Sequence, residues 1–445
     1  MRLPIYETIN HRSLRHTMLD QTLITTPFWI TQFPRPVNLP IAPSLPSKVD
    51  VAIVGSGYTG LNAARVLAKS GAQTAVLERN FIGSGASSRN GGMATPGIKQ
   101  SLTNIVKRYG KARAESFWQA SLAAIDLIEQ IVREENIDCD WVRNGHIALA
   151  NTRPQFERLR GLAQRYKQEF GHKTTLVSQA DLHSEIGSDI YCGGLVDETS
   201  GGLHPAKYVF GLARAVARHG AVLCEHTDVT RIDRNVVGFH VHTSRGVLKA
   251  KEVLIATNGY TGLLVQKLKR RIFPVGSYAI VTEPLSSDLQ DRLSPKRRMY
   301  YDTKWFLNYF RLTPDGRMLW GGRNDLTTDI DLHKSADQLR AQMRRAFPEL
   351  RTTSITHSWT GQLGLTFDLM PHIGNVDGIH YALGYGGHGL SIATYLGTEV
   401  GLMLSGQKPS SPFAEISHPT MFFYRNKPWF VPFAASYYRF LDRVS

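Results

Sequence analysis

Residues 50 to 78 constrain this chain more than any other stretch. They read Asp50-Val-Ala-Ile-Val-Gly55-Ser-Gly57-Tyr58-Thr59-Gly60-Leu61, continue to Gly71, and close on Thr74-Ala-Val-Leu77-Glu78. The apolar run Val51 to Val54 predicts a buried strand, and Leu61, Ala64 and Leu67 then recur at helical spacing. Gly71 ends that helix, a second strand covers Thr74 to Leu77, and Glu78 stands 78 − 55 = 23 positions after the first glycine. The pattern is a strand, helix and strand whose first turn carries G-x-G-x-x-G. In such a turn Gly55 swings the chain off the strand, Gly57 admits a pyrophosphate close to the backbone, and Gly60 lets the helix sit tightly on the sheet. Tyr58 and Thr59 open the helix, whose free N–H groups and positive dipole end suit phosphate. Glu78 is placed to accept hydrogen bonds from a ribose, and its charge disfavours a 2′-phosphate. The motif is common to NAD and FAD sites and does not choose between them.

At 445 residues the chain exceeds one compact core, so two domains are expected. Hydrophobic content of 42% excludes wholesale disorder, and no apolar run is long enough to span a bilayer. The start Met-Arg-Leu-Pro-Ile-Tyr-Glu-Thr lacks the plan of a signal peptide, so a cytoplasmic location is expected. Cys139, Cys192 and Cys224 are odd in number and far apart, which fits reduced thiols rather than a disulfide or metal framework. His240 and His242 share a strand face without further ligands at suitable spacing, and no metal is expected. No G-x-S-x-G elbow suggests a serine hydrolase. The net charge of 52 − 37 = +15 would attract anionic partners. Lysines and arginines are nonetheless spread out, apart from Lys267 to Arg271 and Lys296 to Arg298, and read as a solvated basic surface. Without an RNA-binding module no nucleic-acid partner is expected, and a membrane surface is possible but not favoured; the oligomeric state is left open.

Along the chain, the proline-rich residues 1–47, with Pro34, Pro36, Pro40, Pro43 and Pro46 around Phe28-Trp29, predict an extended arm on the surface or on a partner subunit. A second glycine-rich loop, Gly83-Ser-Gly85-Ala-Ser-Ser-Arg89-Asn90-Gly91-Gly92, marks backbone that approaches something closely, with Ser87, Arg89 and Asn90 as donors for phosphate or ring carbonyls. Helices are predicted over 102–135, 154–170, 205–219 and 335–347. Strands are predicted over 141–150, 190–195, 221–233, 251–259, 272–281 and 305–322, with a hairpin over 238–250 and another at Asp315-Gly316. Finally, strand 379–383 runs into Gly384-Tyr385-Gly386-Gly387-His388-Gly389-Leu390 and a helix on which Gly389, Gly397 and Gly401 permit close packing.

With these stretches together, the chain from about Val49 onward resembles the FAD-dependent amine and amino-acid oxidoreductases of the D-amino-acid oxidase superfamily, most of all the branch that oxidises gamma-glutamylputrescine. The likeness is carried by the Gly55 turn, Gly83-x-Gly85-Ala-Ser-x-Arg89-Asn90-Gly91-Gly92, Ile137-Asp-Cys-Asp140, Tyr309-Phe-Arg311-Leu-Thr-x-Asp315-x-Arg317, Gly384-Tyr385-x-Gly387-His388-Gly389, and the tail Val431-Pro-Phe-x-Ala435-x-Tyr437-Tyr438. It implies an α/β fold with a discontinuous Rossmann-like FAD-binding domain (48–136, 198–263 and 355–407). A second, mostly antiparallel α+β substrate domain (137–197 and 264–354) and a tail (408–445) complete the chain. The Gly55 turn would hold the pyrophosphate, Glu78 the ribose, the segments at Val229 and Gly259 the adenosine side, and the Arg89 to Gly92 loop the length of the flavin. Gly387, His388, Gly389 and Leu390 would aim a helix start at the flavin pyrimidine.

The resemblance also implies the reaction: hydride transfer from an amine to flavin N5, hydrolysis of the imine to aldehyde and amine, and electrons passed to O2 or another acceptor. His388, Tyr309, Arg311 and Lys304 are the catalytic candidates, Tyr309 and Arg311 sharing one strand face and Lys304 serving as a cation for O2. In D-amino-acid and glycine oxidases an arginine grips the substrate carboxylate at the position of Leu363, which points here to a plain or acylated amine. No cysteine lies between Trp359 and Gly374, so FAD is expected to be non-covalent. Alternatives are an amino-acid or sarcosine-type dehydrogenase feeding quinones, an RNA-associated flavoprotein, and a flavin-binding protein without turnover.

Overall fold

The computed structural model describes residues 23–322, 326–328, 330–425 and 427–444. Two eight-stranded sheets organise them. The first has the strand order His372–Val376, Ile379–Leu383, Gly246–Ile255, Lys48–Val54, Thr74–Leu77 and Val222–Cys224. All its neighbours from Ile379–Leu383 to Val222–Cys224 run parallel. The antiparallel pair Val229–Asn235 and Gly238–Thr243 hangs from Gly246–Ile255. Val51 pairs with Thr74 and Val54 with Leu77. Both strands therefore end at one level, and Gly55 N donates to Leu77 O at 2.9 Å, which brings Glu78 to the turn.

The helices Tyr58–Lys69 and Gly389–Leu404 pack on each other beside this sheet. The glycines explain how closely: a Cβ on Gly397 would stand 2.4 Å from Thr59 O, and one on Gly401 2.9 Å from Val66 Cβ. Leu61, Leu67, Leu396 and Val400 are buried at the contact, each contributing about 1.5–3 kcal/mol of transfer energy.

The second sheet has the order Ile355–Thr366, Ile272–Pro284, Arg317–Gly322, Asn308–Leu312, Met299–Asp302, His146–Ala150, Gly193–Asp197 and Thr175–Ser178. It is antiparallel except where Met299–Asp302 meets His146–Ala150. A stack of Tyr300, Phe310 and Trp320, with centroids 5.0 and 4.3 Å apart, fills its core under the helix Leu332–Ala346.

Four expectations need correction. The predicted helix 102–135 is two, Leu102–Tyr109 and Lys111–Glu134, because Gly110 takes φ 81° between them. The predicted strand 221–233 breaks at Glu225 to Asp228, where His226 is left-handed and buried Glu225 is held by Arg35 at 2.7 Å. Residues 1–22 of the arm lie outside the described residues, but its remainder is not simply laid on the surface. Phe28 and Trp29 are buried in the helix Phe28–Gln32, since two large rings gain more by burial than proline-rich neighbours cost. Lastly, Ile355–Thr366, expected in the FAD domain, is an edge of the second sheet, paired along its whole length with Ile272–Pro284.

Candidate active site

The three glycine turns, distant in sequence, open into one cavity of about 1270 Å³. That exceeds the roughly 300–1,000 Å³ of an ordinary small-molecule pocket and suits a dinucleotide with a substrate beside it. Gly55 to Thr59, Ser84 to Ser87, Arg89 to Gly91, Thr227 to Ile232 and Tyr385 to Leu390 all line it.

The first turn is built by close backbone approach. Gly55 has φ +105°, and a Cβ there would lie 2.9 Å from Ala256 O. A Cβ on Gly60 would lie 2.0 Å from Gly55 O, and one on Gly57 2.9 Å from Ser87 Oγ. Ser87 Oγ accepts from Tyr58 N at 3.0 Å, fastening the second loop to the helix start. Glu78 accepts from Ser56 Oγ at 2.6 Å and from Asn80 N at 3.0 Å. Two carboxylate oxygens keep further lone pairs for a ribose.

Asn90 and Arg89 line the cavity, yet their donors hold carbonyls of their own loop and of the neighbouring strand, since irregular backbone needs its carbonyls satisfied. Asn90 Nδ2 donates to Ser87 O and Ala86 O, both at 3.1 Å, and Arg89 donates to Ser84 O at 3.0 Å and Thr360 O at 3.1 Å. Trp29 Nε1 donates to Asn90 O at 2.7 Å and Trp359 Nε1 to Arg89 O at 2.8 Å, so the loop is clamped from both sides.

In the third turn, Gly386 and Gly387 take φ +57° and +108°, and His388 is the N-cap of Gly389–Leu404 without a side-chain cap bond. The start of Tyr58–Lys69 is likewise without a cap side chain at Gly57, whereas Ser101, Thr152, Ser286 and Asp331 cap other helices with their side chains. Two helix starts facing one cavity offer N–H groups and positive dipole ends to a ligand with anionic and carbonyl groups. The two ends are joined directly: Thr59 Oγ1 and Tyr385 OH share a 2.5 Å hydrogen bond. Turns, acid and helix starts fit FAD.

Val229 lines the cavity as expected, but Gly60, Gly92 and Gly259 do not. They act behind it: a Cβ on Gly92 would fall 2.2 Å from Leu203 O, and one on Gly259 2.9 Å from the Leu363 carbonyl carbon.

Of the catalytic candidates, His388 and Tyr309 line the cavity, and Lys304 and Arg311 are not in its lining. Tyr309 lies across from Gly321, whose missing side chain makes room for the ring. Arg311 is buried and donates to Gly92 O at 2.9 Å and Leu203 O at 2.8 Å; burial pushes its pKa down to about 10, so it stays charged at neutral pH. It ties the Gly92 loop to Leu203 through their carbonyls. Lys304 Nζ bonds Asn308 Oδ1 and Asp302 Oδ2, each at 2.7 Å. Its cation balances the carboxylate of Asp302, whose pKa burial raises to about 6.

The cavity also holds residues that sequence reasoning missed: Lys99, Tyr260, Ser277, Tyr301 and Thr360. Tyr260 adjoins Gly259, and its OH accepts from Gln362 N at 3.3 Å. The others carry no local signal, because strand pairing and loop packing bring them in.

Comparison with known proteins agrees with this geometry. The family model described as DAO, FAD dependent oxidoreductase, matches residues 50–401. The chain is 32% identical to the probable oxidoreductase OrdL of Haemophilus influenzae over 88% of this chain and 92% of that one. It is 33% identical to the gamma-glutamylputrescine oxidoreductase of Escherichia coli over 89% and 93%. Among solved structures, glycine oxidase of Geobacillus kaustophilus superposes with TM-score 0.73 at 21% identity, covering 84% of this chain and all of that one. The match confirms the α/β fold with its parallel-rich and antiparallel sheets. With cradle, family model and full-length relatives in agreement, the chain belongs to the DAO family of FAD-dependent oxidoreductases, enzymes acting on CH–NH and CH–NH2 groups.

Proposed function

We propose that this protein oxidises the C–N bond of a primary or secondary amine of the gamma-glutamylputrescine type, with FAD bound non-covalently. The observation that carries the substrate reading is Leu363. It lines the cavity at the position of the carboxylate-gripping arginine of D-amino-acid and glycine oxidases, and it packs with an apolar cluster around Phe273 and Leu365. An α-carboxylate there would be desolvated against leucine, whereas an amine with an uncharged α-carbon is accepted. None of the three cysteines, all described, lines the cavity, which supports a dissociable cofactor. The 33% identity to a gamma-glutamylputrescine oxidoreductase supports the same substrate class.

In this reading the parallel sheet and its loops form the FAD domain and the antiparallel sheet the substrate domain. The Gly55 turn and Ser87 hold the diphosphate, Glu78 the ribose, Val229 the adenine side and Gly387 to Leu390 the pyrimidine end. Bound there, FAD would supply the hydride acceptor. The helix start at His388 stabilises negative charge at that end of the cavity, and His388 takes the amine proton. Tyr309 walls the substrate, and Ser277 Oγ lies 3.4 Å from its OH. Released products are an aldehyde and the smaller amine; electrons leave to O2 or another acceptor.

The test is anaerobic mixing of purified protein with gamma-glutamylputrescine, putrescine, sarcosine and D-amino acids. The flavin band should bleach fastest with an amine whose reacting carbon carries no carboxylate, and acid should release FAD into the supernatant. Faster bleaching by sarcosine or a D-amino acid would overturn the substrate class; no bleaching by any of them would overturn amine oxidation.

A further inference from the structure

The chain's last helix is apolar on two opposite faces. On the inner face of Val431–Val444, Val431 and Ala435 are buried, and with Ala434 they join the cluster around Phe273 and Leu365. On the outer face Phe433, Tyr437 and Phe440 follow at i, i+4 and i+7, which sets them on one stripe; they are 71%, 60% and 60% exposed. Ring contacts extend the stripe from Phe433 to Trp429 at 6.3 Å, on to Phe423 at 6.0 Å, and to Phe422 at 5.4 Å. Along the helix, Tyr438 stacks on the half-exposed Trp305 at 5.1 Å. A continuous aromatic patch of this kind marks an interaction surface.

The surroundings select its occupant. Arg425, Lys427 and Arg439 are exposed around the rings. The end of the basic run Lys267 to Arg271 meets the same segment through its backbone, where Tyr424 OH donates to Ile272 O at 3.2 Å and His418 Nε2 lies 3.2 Å from Arg271 O. The whole chain carries +15, so a second copy is repelled and an anionic surface attracted. The exposed rings include Trp and Tyr, which seat an apolar body below and a polar tip at headgroup level. Among the described residues no helix is long and apolar enough to cross a membrane, so the contact is with a surface.

We propose that this face docks the protein on a bilayer containing anionic lipids, with the helix lying in the headgroup plane and Trp429, Phe433, Tyr437 and Phe440 inserted. The dock adjoins the cavity. Asp442 on the same helix accepts from Trp305 N and Phe306 N at 2.7 and 2.9 Å, and the next residue, Leu307, lines the cavity. Docking thus braces one wall of the substrate space, whatever amine that space takes.

The test is co-sedimentation of the full-length, FAD-loaded protein with vesicles of phosphatidylcholine alone and of phosphatidylcholine mixed with phosphatidylglycerol. Binding is expected only to the mixed vesicles and should weaken with salt. The variant Trp429→Ser/Phe433→Ser/Phe440→Ser should lose about tenfold in partition with its flavin content unchanged, and Arg425→Glu/Lys427→Glu should lose a similar factor at low salt. Brominated lipids in the mixed vesicles should quench tryptophan fluorescence of the unaltered protein, a readout that needs no variant to fold. The proposal falls if the protein stays in the supernatant with both vesicles, if the aromatic variant binds as well as the parent, or if brominated lipids do not quench. It also falls if sedimentation shows an aromatic-dependent dimer without vesicle binding, which would give the face to a second copy.

Discussion

The two halves of the cavity are made of different material. On the proposed reading the cofactor half is backbone: glycine turns, two helix starts and carbonyls held at fixed distances. The substrate half is then side chain: Tyr309, Ser277 and Leu363, drawn from strands far apart in sequence. A backbone cradle tolerates almost no added atoms, whereas a wall of side chains can change its members and keep its shape. The difference predicts which substitutions abolish the enzyme and which only retune it.

The sharpest way to break that comparison is Gly60→Val. Its Cβ would meet Gly55 O at 2.0 Å, a backbone atom that cannot swing aside. Loss of at least about 3 kcal/mol is expected, with no retained FAD by absorbance. A yellow, stable variant would show that the turn is softer than its geometry.

Acid should attack both halves at once. Burial lowers the pKa of His146, in the second sheet, and of His204, which caps Pro205–Arg218 by accepting from Lys207 N, each to about 4 from 6.5. The unfolded chain therefore binds protons first. This stability is complete above about pH 6.5 and lost as pH falls toward 4. By pH 5 each histidine should cost on the order of 2 kcal/mol, read as a falling denaturation midpoint. Hydrogen exchange at that pH would sharpen the comparison by showing whether one half opens before the other.

Lys304→Met should cost about 2 kcal/mol, because it leaves Asp302 buried without its cation. Reoxidation of reduced flavin by O2 should stay unchanged; a large fall would restore Lys304 to the reaction. The smallest effect is reserved for Tyr309→Phe, where kcat/KM should fall about tenfold, roughly 1.4 kcal/mol, at constant flavin content. Lost flavin in that variant would erase the distinction between the halves.

Legibility in the sequence divides along the same line. The Gly55 turn, its acid, the Ser87 loop and the Gly387 helix start are readable because each is a short run whose residue types follow from local backbone needs. Most helices and strands are readable from periodicity. Arg311 falls outside the cavity lining because alternation gives a face but not what lies opposite it. Gly92 O and Leu203 O, 219 and 108 residues from Arg311, decide its role. Tyr301 and Ser277 are placed by cross-strand register, and Trp29 by an arm whose prolines suggest exposure.

The glycine joint between Tyr58–Lys69 and Gly389–Leu404 has a consequence for how the protein is born. The first turn leaves the ribosome more than three hundred residues before the helix that seats against it (389 − 58 = 331). A nascent chain therefore carries half a cradle until that later helix emerges, and vitamin-derived cofactor can be captured firmly only from then on.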